Sequence, residues 1–328
     1  MKPMRQFLTT LVVVWMAASI ATYIYSQQQN IPASILIAVL PAFLAEIAFY
    51  LMPGFEAVRE AFDRLGSKPM RAALLTATAV IPYLVEALRR GTFQLTSLVM
   101  LAAVAAIVSF WYAWIRPSIA VDLFFLAVVA VIYLSKLFES IYGQPAPHVP
   151  LAILGRLMLT RVGILAILSL RSLEDPRFGF WPRSREWSVG VLHFIYFLPV
   201  GAGLAYWLKF ARFRSPATDA WKLPLTIIGT FVVFLWVVAL AEEFFFRAFL
   251  QRILARTWRS ETAGLLLAST IFGLAHLPFH HFPNWRFAIV AAAAGVFYGL
   301  AFLKAGSVRA SMVTHAFVVT TWRVFFSG

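Results

Sequence analysis

The chain has 328 residues, of which 61% are hydrophobic and only 13% charged. That is more apolar surface than a soluble fold can bury, so the sequence reads as a multi-spanning membrane protein. It contains no cysteine, which excludes disulfides, thiolate metal sites and a cysteine nucleophile. The net charge of +14 collects at predicted helix ends (Lys2, Arg5, Arg89, Arg90, Lys209, Arg212, Arg214), where topology signals and anionic headgroups account for it without nucleic acid.

Lys2 and Arg5 precede an apolar run from Phe7 to Ile24. It is longer than the roughly 7–15 residues of a secretory signal core, and no small-x-small cleavage site follows, so a retained first helix is expected. Further apolar runs lie near 33–53, 72–88, 94–115 and 118–135, with interrupted ones near 149–170 and 188–209. Four more follow near 222–248, 262–277, 286–303 and 307–326. Together they predict an all-α polytopic membrane bundle of about 8–11 helices, because backbone polar groups in lipid must be satisfied within each segment.

Two linkers interrupt the series. Residues 138–149 are turn-rich and polar, and residues 171–187 mix charge with Trp and Phe, as expected of a segment at the headgroups. A boundary near 145 divides an N-terminal bundle (1–145) of unassigned role from a C-terminal domain (146–328). Arg59, Arg64, Lys68 and Arg71 after the second run favour an N-terminus inside.

The run Leu223–Leu240 has no charge and then meets Glu242-Glu243-Phe-Phe-Phe-Arg247. A carboxylate at mid-membrane costs about 2.5–3.5 kcal/mol on the insertion scale, so two in succession need a use. Glu243 and Arg247 are i and i+4 and can pair. Glu242 lies about 100° away with Phe246 at its i+4 position, which leaves it available as a general base. The plainer alternative is a structural ion network. The next run carries Phe272-Gly-Leu-Ala-His276 before Pro278, and the last carries His315 amid apolar neighbours. His280 and His281 follow Pro278 and are expected at the headgroups. Glu46 is expected to pair with Arg156 or Arg161, Glu86 with Arg90, and Asp122 to cap its helix or meet the interface.

These three motifs, Glu-Glu-x-x-x-Arg, Phe-x-x-x-His and His-x-x-x-Asn/Asp on successive helices, resemble those of the type II CAAX prenyl endopeptidases and the related bacteriocin-processing and immunity proteins (the CPBP or Abi family of intramembrane glutamate proteases). The resemblance covers roughly residues 190–328, and the extra N-terminal helices are similar to the exosortase-associated CAAX-protease-related proteins. It departs from the family at Val319, where Asn or Asp is expected. It implies a glutamate-type endopeptidase without cofactor or catalytic metal, in which Glu242 and His276 activate water and His315 stabilises the oxyanion. Glu243, Arg247 and Phe272 would support them. The implied partner is a membrane-anchored peptide or protein, and the implied location the bacterial inner membrane. Two other readings stay open: a zinc site on Glu242, His276 and His315, and a non-catalytic scaffold or transporter.

Overall fold

The computed structural model describes residues 2–174, 176–216, 221–279 and 282–327. It is almost entirely helical, and eight of its helices are long and apolar enough to cross a membrane. The chain is an all-α, multi-pass integral membrane protein. It divides into two compact units, Met1–Glu174 and Asp175–Gly328.

The first unit contains α1 (Lys2–Gln28), α2 (Ala33–Leu51), α3 (Glu56–Asp63), α4 (Lys68–Arg90), α5 (Leu95–Trp114), α6 (Ile119–Leu134), α7 (Leu137–Ile141) and α8 (Ala152–Leu170, its last turn π-helical). Local signals set the boundaries. Ser67 and Ser118 accept backbone N–H bonds as N-caps of α4 and α6, and Gly91 ends α4 in the left-handed conformation at φ 67°. The centre of the unit is α8, whose most apolar window is 83% buried.

Burial on all sides explains how α8 carries Arg161 through the membrane. The guanidinium donates to both Glu46 oxygens (2.7 and 3.3 Å), to the Thr78 hydroxyl (3.2 Å) and to the Thr78 carbonyl (2.9 Å). Glu46 therefore takes Arg161, while Arg156 pairs with the exposed Glu139. Glu86 pairs with Arg90 as the i,i+4 spacing predicts. Asp122 does lie in the first turn of α6, but its main role differs from the expected cap: both its oxygens take the Arg171 side chain (2.8 and 2.6 Å), and Tyr112 donates to it (2.8 Å).

The second unit contains α9 (Ser184–Trp207), α10 (Leu223–Trp258), α11 (Glu261–Leu274), α12 (Trp285–Ala305) and α13 (Val308–Phe325). Two short strands, β1 (Arg212–Phe213) and β2 (Phe326–Ser327), pair antiparallel. At its start Glu186 acts as a knot. It accepts from the Arg183 backbone (2.6 Å), Ser307 (2.6 Å) and Arg309 (2.9 Å), tying the head of α9 to the turn between α12 and α13.

The segment before α9 does not simply lie at the headgroups. Phe178 and Phe180 are buried; Phe178 packs edge-on against Phe244 at 5.1 Å, and the Phe180 carbonyl accepts from the Trp236 indole at 2.8 Å. Its aromatic residues have an apolar helix to cover, and burial there outweighs an interfacial position.

With 36 residues, α10 is the longest helix. At 1.5 Å per residue it measures about 54 Å, against about 30 Å of hydrocarbon, so it tilts or projects. It includes two π-helical stretches, Phe234–Ala239 and Phe244–Gln251, which flank the short α-helical piece Leu240–Glu243. Small residues let its neighbours approach closely. A Cβ on Gly273 of α11 would lie 2.5 Å from the Ala288 carbonyl of α12, and one on Gly264 would lie 2.7 Å from the Ala255 backbone nitrogen of α10.

Candidate active site

Glu242 and Glu243 sit on the α-helical piece between the π stretches, a place where altered helix geometry often marks function. Their environments differ sharply. The Glu243 side chain is fully buried and accepts three bonds: from Arg247 Nε (3.1 Å), from the Ser311 hydroxyl, and from His315 Nδ1 (2.7 Å). The Glu242 side chain keeps 31% of its surface, and its Oε2 has no hydrogen-bond partner among the described residues. That same oxygen stands 3.9 Å from His315 Nε2.

The support extends outward from Glu243. Arg247, also fully buried, reaches Ser269 of α11 through Nη1 at 3.3 Å and lies over the Phe272 ring at 5.2 Å. The Phe272 ring is in contact with both histidines, 4.6 Å from His276 and 6.0 Å from His315. Tyr298 of α12 stacks almost parallel on His315, with centroids 4.5 Å apart and planes 12° apart. With Nδ1 held by Glu243 and the ring plane set by Tyr298, His315 can turn only its Nε2 toward Glu242.

His276 follows the end of α11 and is half-buried. Its Nδ1 contacts the Phe272 carbonyl at 2.8 Å, which leaves Nε2 for other partners. No ion pair within 4.0 Å joins it to Glu242 among the described residues. The structure thus brings Glu242, Glu243, Arg247, Phe272 and His315 together directly and attaches His276 through the Phe272 ring. His280 and His281 lie outside the described residues. Among the described residues no group of three His, Asp or Glu side chains is placed to hold a metal ion.

Sequence reasoning assigned no role to Ser269, Ser311, Tyr298 or Gln251. Ser311 was accessible from spacing, since it precedes His315 by one turn, as was Gln251, one turn beyond Arg247. Nothing in the run around Tyr298 marks it. Val319, two turns' worth of residues along from Ser311, is half-buried and offers no hydrogen bond from its side chain.

Glu242 and Glu243 meet the Arg247 guanidinium and the His315 ring here. Such a group offers a carboxylate base and an N–H donor on either side of a reacting carbonyl. Residues 224–321 match the family model of the type II CAAX prenyl endopeptidases, Rce1-like. No curated protein and no solved structure matches the chain. The matched stretch includes Glu242–Arg247, Phe272–His276, His315 and every other residue of this cluster. The chain is a multi-pass membrane protein whose residues 224–321 are similar to the Rce1-like type II CAAX prenyl endopeptidases.

Proposed function

We propose that the chain is an intramembrane glutamate-type endopeptidase that hydrolyses a peptide bond of a membrane-anchored substrate. The observation that carries this reading is the unequal holding of the two carboxylates. Glu243 is saturated by Arg247, Ser311 and His315, while Glu242 keeps a free oxygen facing His315 Nε2. Glu242 takes a proton from water as its oxygen attacks the carbonyl carbon, and His276 Nε2 gives the water its second contact. His315, protonated on both nitrogens and oriented by Glu243, donates from Nε2 to the oxyanion. Collapse breaks the C–N bond, and the leaving amine recovers the proton from Glu242. No step requires a metal.

Incubation of the purified chain with membrane-anchored peptides, with cut sites read by mass spectrometry, tests the reading. Cleavage should survive a strong chelator and vanish in Glu242→Gln; a Glu242→Gln protein that cuts normally would sink it.

Val319 favours a second reading, a slow or silent member of the family. Loss of one oxyanion donor typically costs about 100–1000-fold in rate. Val319→Asn should therefore raise kcat by up to about 100-fold if Asn reaches the oxyanion. A wild-type chain that is silent and a Val319→Asn chain that cuts would identify a degenerate protease. Silence in both would favour a scaffold.

A further inference from the structure

The second unit holds the only two strands among the described residues, β1 and β2, and their pairing fixes which backbone groups are engaged. The Arg214 N–H donates to the Phe325 carbonyl (2.9 Å), and Arg212 lies opposite Ser327. In an antiparallel pair the groups that face the partner strand recur at every second residue. Arg212 and Arg214 therefore face β2, and Phe213 turns its own N–H and carbonyl outward. Neither outward group has a hydrogen-bond partner among the described residues, and the residue is 71% exposed. The outer edge of β2 is partly occupied, because the Phe326 N–H donates to the Trp322 carbonyl. An open strand edge is a template for another extended chain, and β1 supplies it here.

A ladder of rings joins this edge to the proposed site. Phe213 packs edge-on against Phe326 (5.9 Å), which stacks on Trp322 (5.3 Å). Trp322 stacks on Phe210 (4.9 Å), Phe210 on Phe287 (5.3 Å), and Phe287 meets His276 edge-on (4.8 Å). The charge at the edge selects the occupant. Side chains alternate along a strand, so Arg212 and Arg214 leave one face of β1 together. Both are exposed, as is Lys209 just before them, and none of the three has an ion-pair partner among the described residues.

We infer that the outer edge of β1 binds an extended segment of the substrate with acidic side chains at alternate positions, on the His276 side of the proposed site. The inference rests on the proteolytic reading above. A helical peptide keeps its carbonyls bonded to its own amides, so a peptide about to be cut is better held extended, and a strand edge does this through the backbone. Phe213 would give its N–H to one substrate carbonyl and accept one substrate N–H, while Arg212 and Arg214 meet the acidic side chains. From His315 to Phe325 α13 runs about 15 Å along its axis. At about 3.3 Å per extended residue, the docked segment lies about four or five residues from the scissile bond.

Binding to the full chain as Glu242→Gln, in phosphatidylcholine vesicles, tests this without cleavage. The probes are a palmitoylated peptide with Glu at alternate positions and its Gln counterpart. Phe213→Pro removes the outward N–H but no bond to β2, and an edge strand tolerates proline there. It should weaken binding about three- to tenfold at an unchanged melting temperature, whereas Phe213→Ala, which keeps the N–H, should bind within about twofold of its parent. Arg212→Gln/Arg214→Gln should erase the preference for the Glu peptide. A methyl group walked along the peptide nitrogens should weaken binding about threefold or more at one position, even if Phe213→Pro fails to fold. In a peptide that the wild-type chain cuts, that position should fall about four or five residues from the cut. Equal loss in Phe213→Pro and Phe213→Ala, or a methyl scan without such a position, would overturn the proposal. So would a double arginine variant that keeps the preference, since those arginines would then serve lipid headgroups. The protease reading fails separately: a Glu242→Gln chain that still cuts removes it, whatever the peptide affinities show.

Discussion

Glu243→Gln should loosen the C-terminal unit as well as silence it, whereas Glu242→Gln should silence without loosening. The Glu243 carboxylate is fully buried and accepts from Arg247, Ser311 and His315. An amide in its place presents N–H donors to groups that are themselves donors and carries no charge to balance the fully buried Arg247. Breaking a buried pair from one side costs about 3–5 kcal/mol, because the remaining charge is left uncompensated. The His315 ring loses its orienting partner in the same step, so cleavage falls with stability.

Glu242 is different. Its side chain is nearly one-third exposed and its Oε2 has no hydrogen-bond partner among the described residues, so the amide is accommodated at little structural cost. In the proposed mechanism what disappears is the base, and loss of a general base typically lowers the rate about a hundred- to ten-thousandfold. Thermal unfolding in detergent followed by tryptophan fluorescence, with peptide cleavage on the same samples, separates the two signatures. A Glu243→Gln protein that melts like wild type would show that the buried cluster contributes nothing to stability. A Glu242→Gln protein that unfolds early would show that Glu242 is structural after all.

Much of this arrangement is legible in the sequence, for reasons that differ from residue to residue. The runs of apolar residues announce the helices because only a helix satisfies its own backbone in lipid. The i,i+4 rule finds Glu243–Arg247 and Glu86–Arg90, since both partners lie on one helix. It fails wherever the partner comes from another helix. Glu46 had two eligible arginines five residues apart, and only packing shows that Arg161 faces inward while Arg156 faces Glu139. Tyr298 stacks on His315 across a helix boundary and has no local signal at all. The π stretches around Glu242 change the helix register without any Pro or Gly to betray them. The same limitation explains the segment before α9, whose Phe178 and Phe180 read as interfacial until a helix is found for them to cover.

In the first unit the largest effect on stability is expected at Arg161. With 1% of its side chain exposed it faces a fully buried Glu46, and three further contacts, to the Thr78 hydroxyl, the Thr78 carbonyl and the Phe49 ring, complete its surroundings. Arg161→Leu strands the Glu46 carboxylate among apolar helices and should cost about 3–5 kcal/mol. Glu46→Leu strands the guanidinium and should cost a similar amount. The double variant Glu46→Leu/Arg161→Leu removes both charges together, and replacing a buried pair by apolar residues is often neutral or stabilising by about 1–4 kcal/mol. Melting curves of the four proteins therefore form a cycle whose double variant should recover most of either single loss; additive losses would mean that the two residues act independently. The double variant carries a second test as well. Every residue of the proposed site belongs to the other unit, so a double variant that melts like wild type should also cleave like wild type. If it folds but cuts poorly, the N-terminal unit takes part in the reaction, and its role must then be sought in substrate binding.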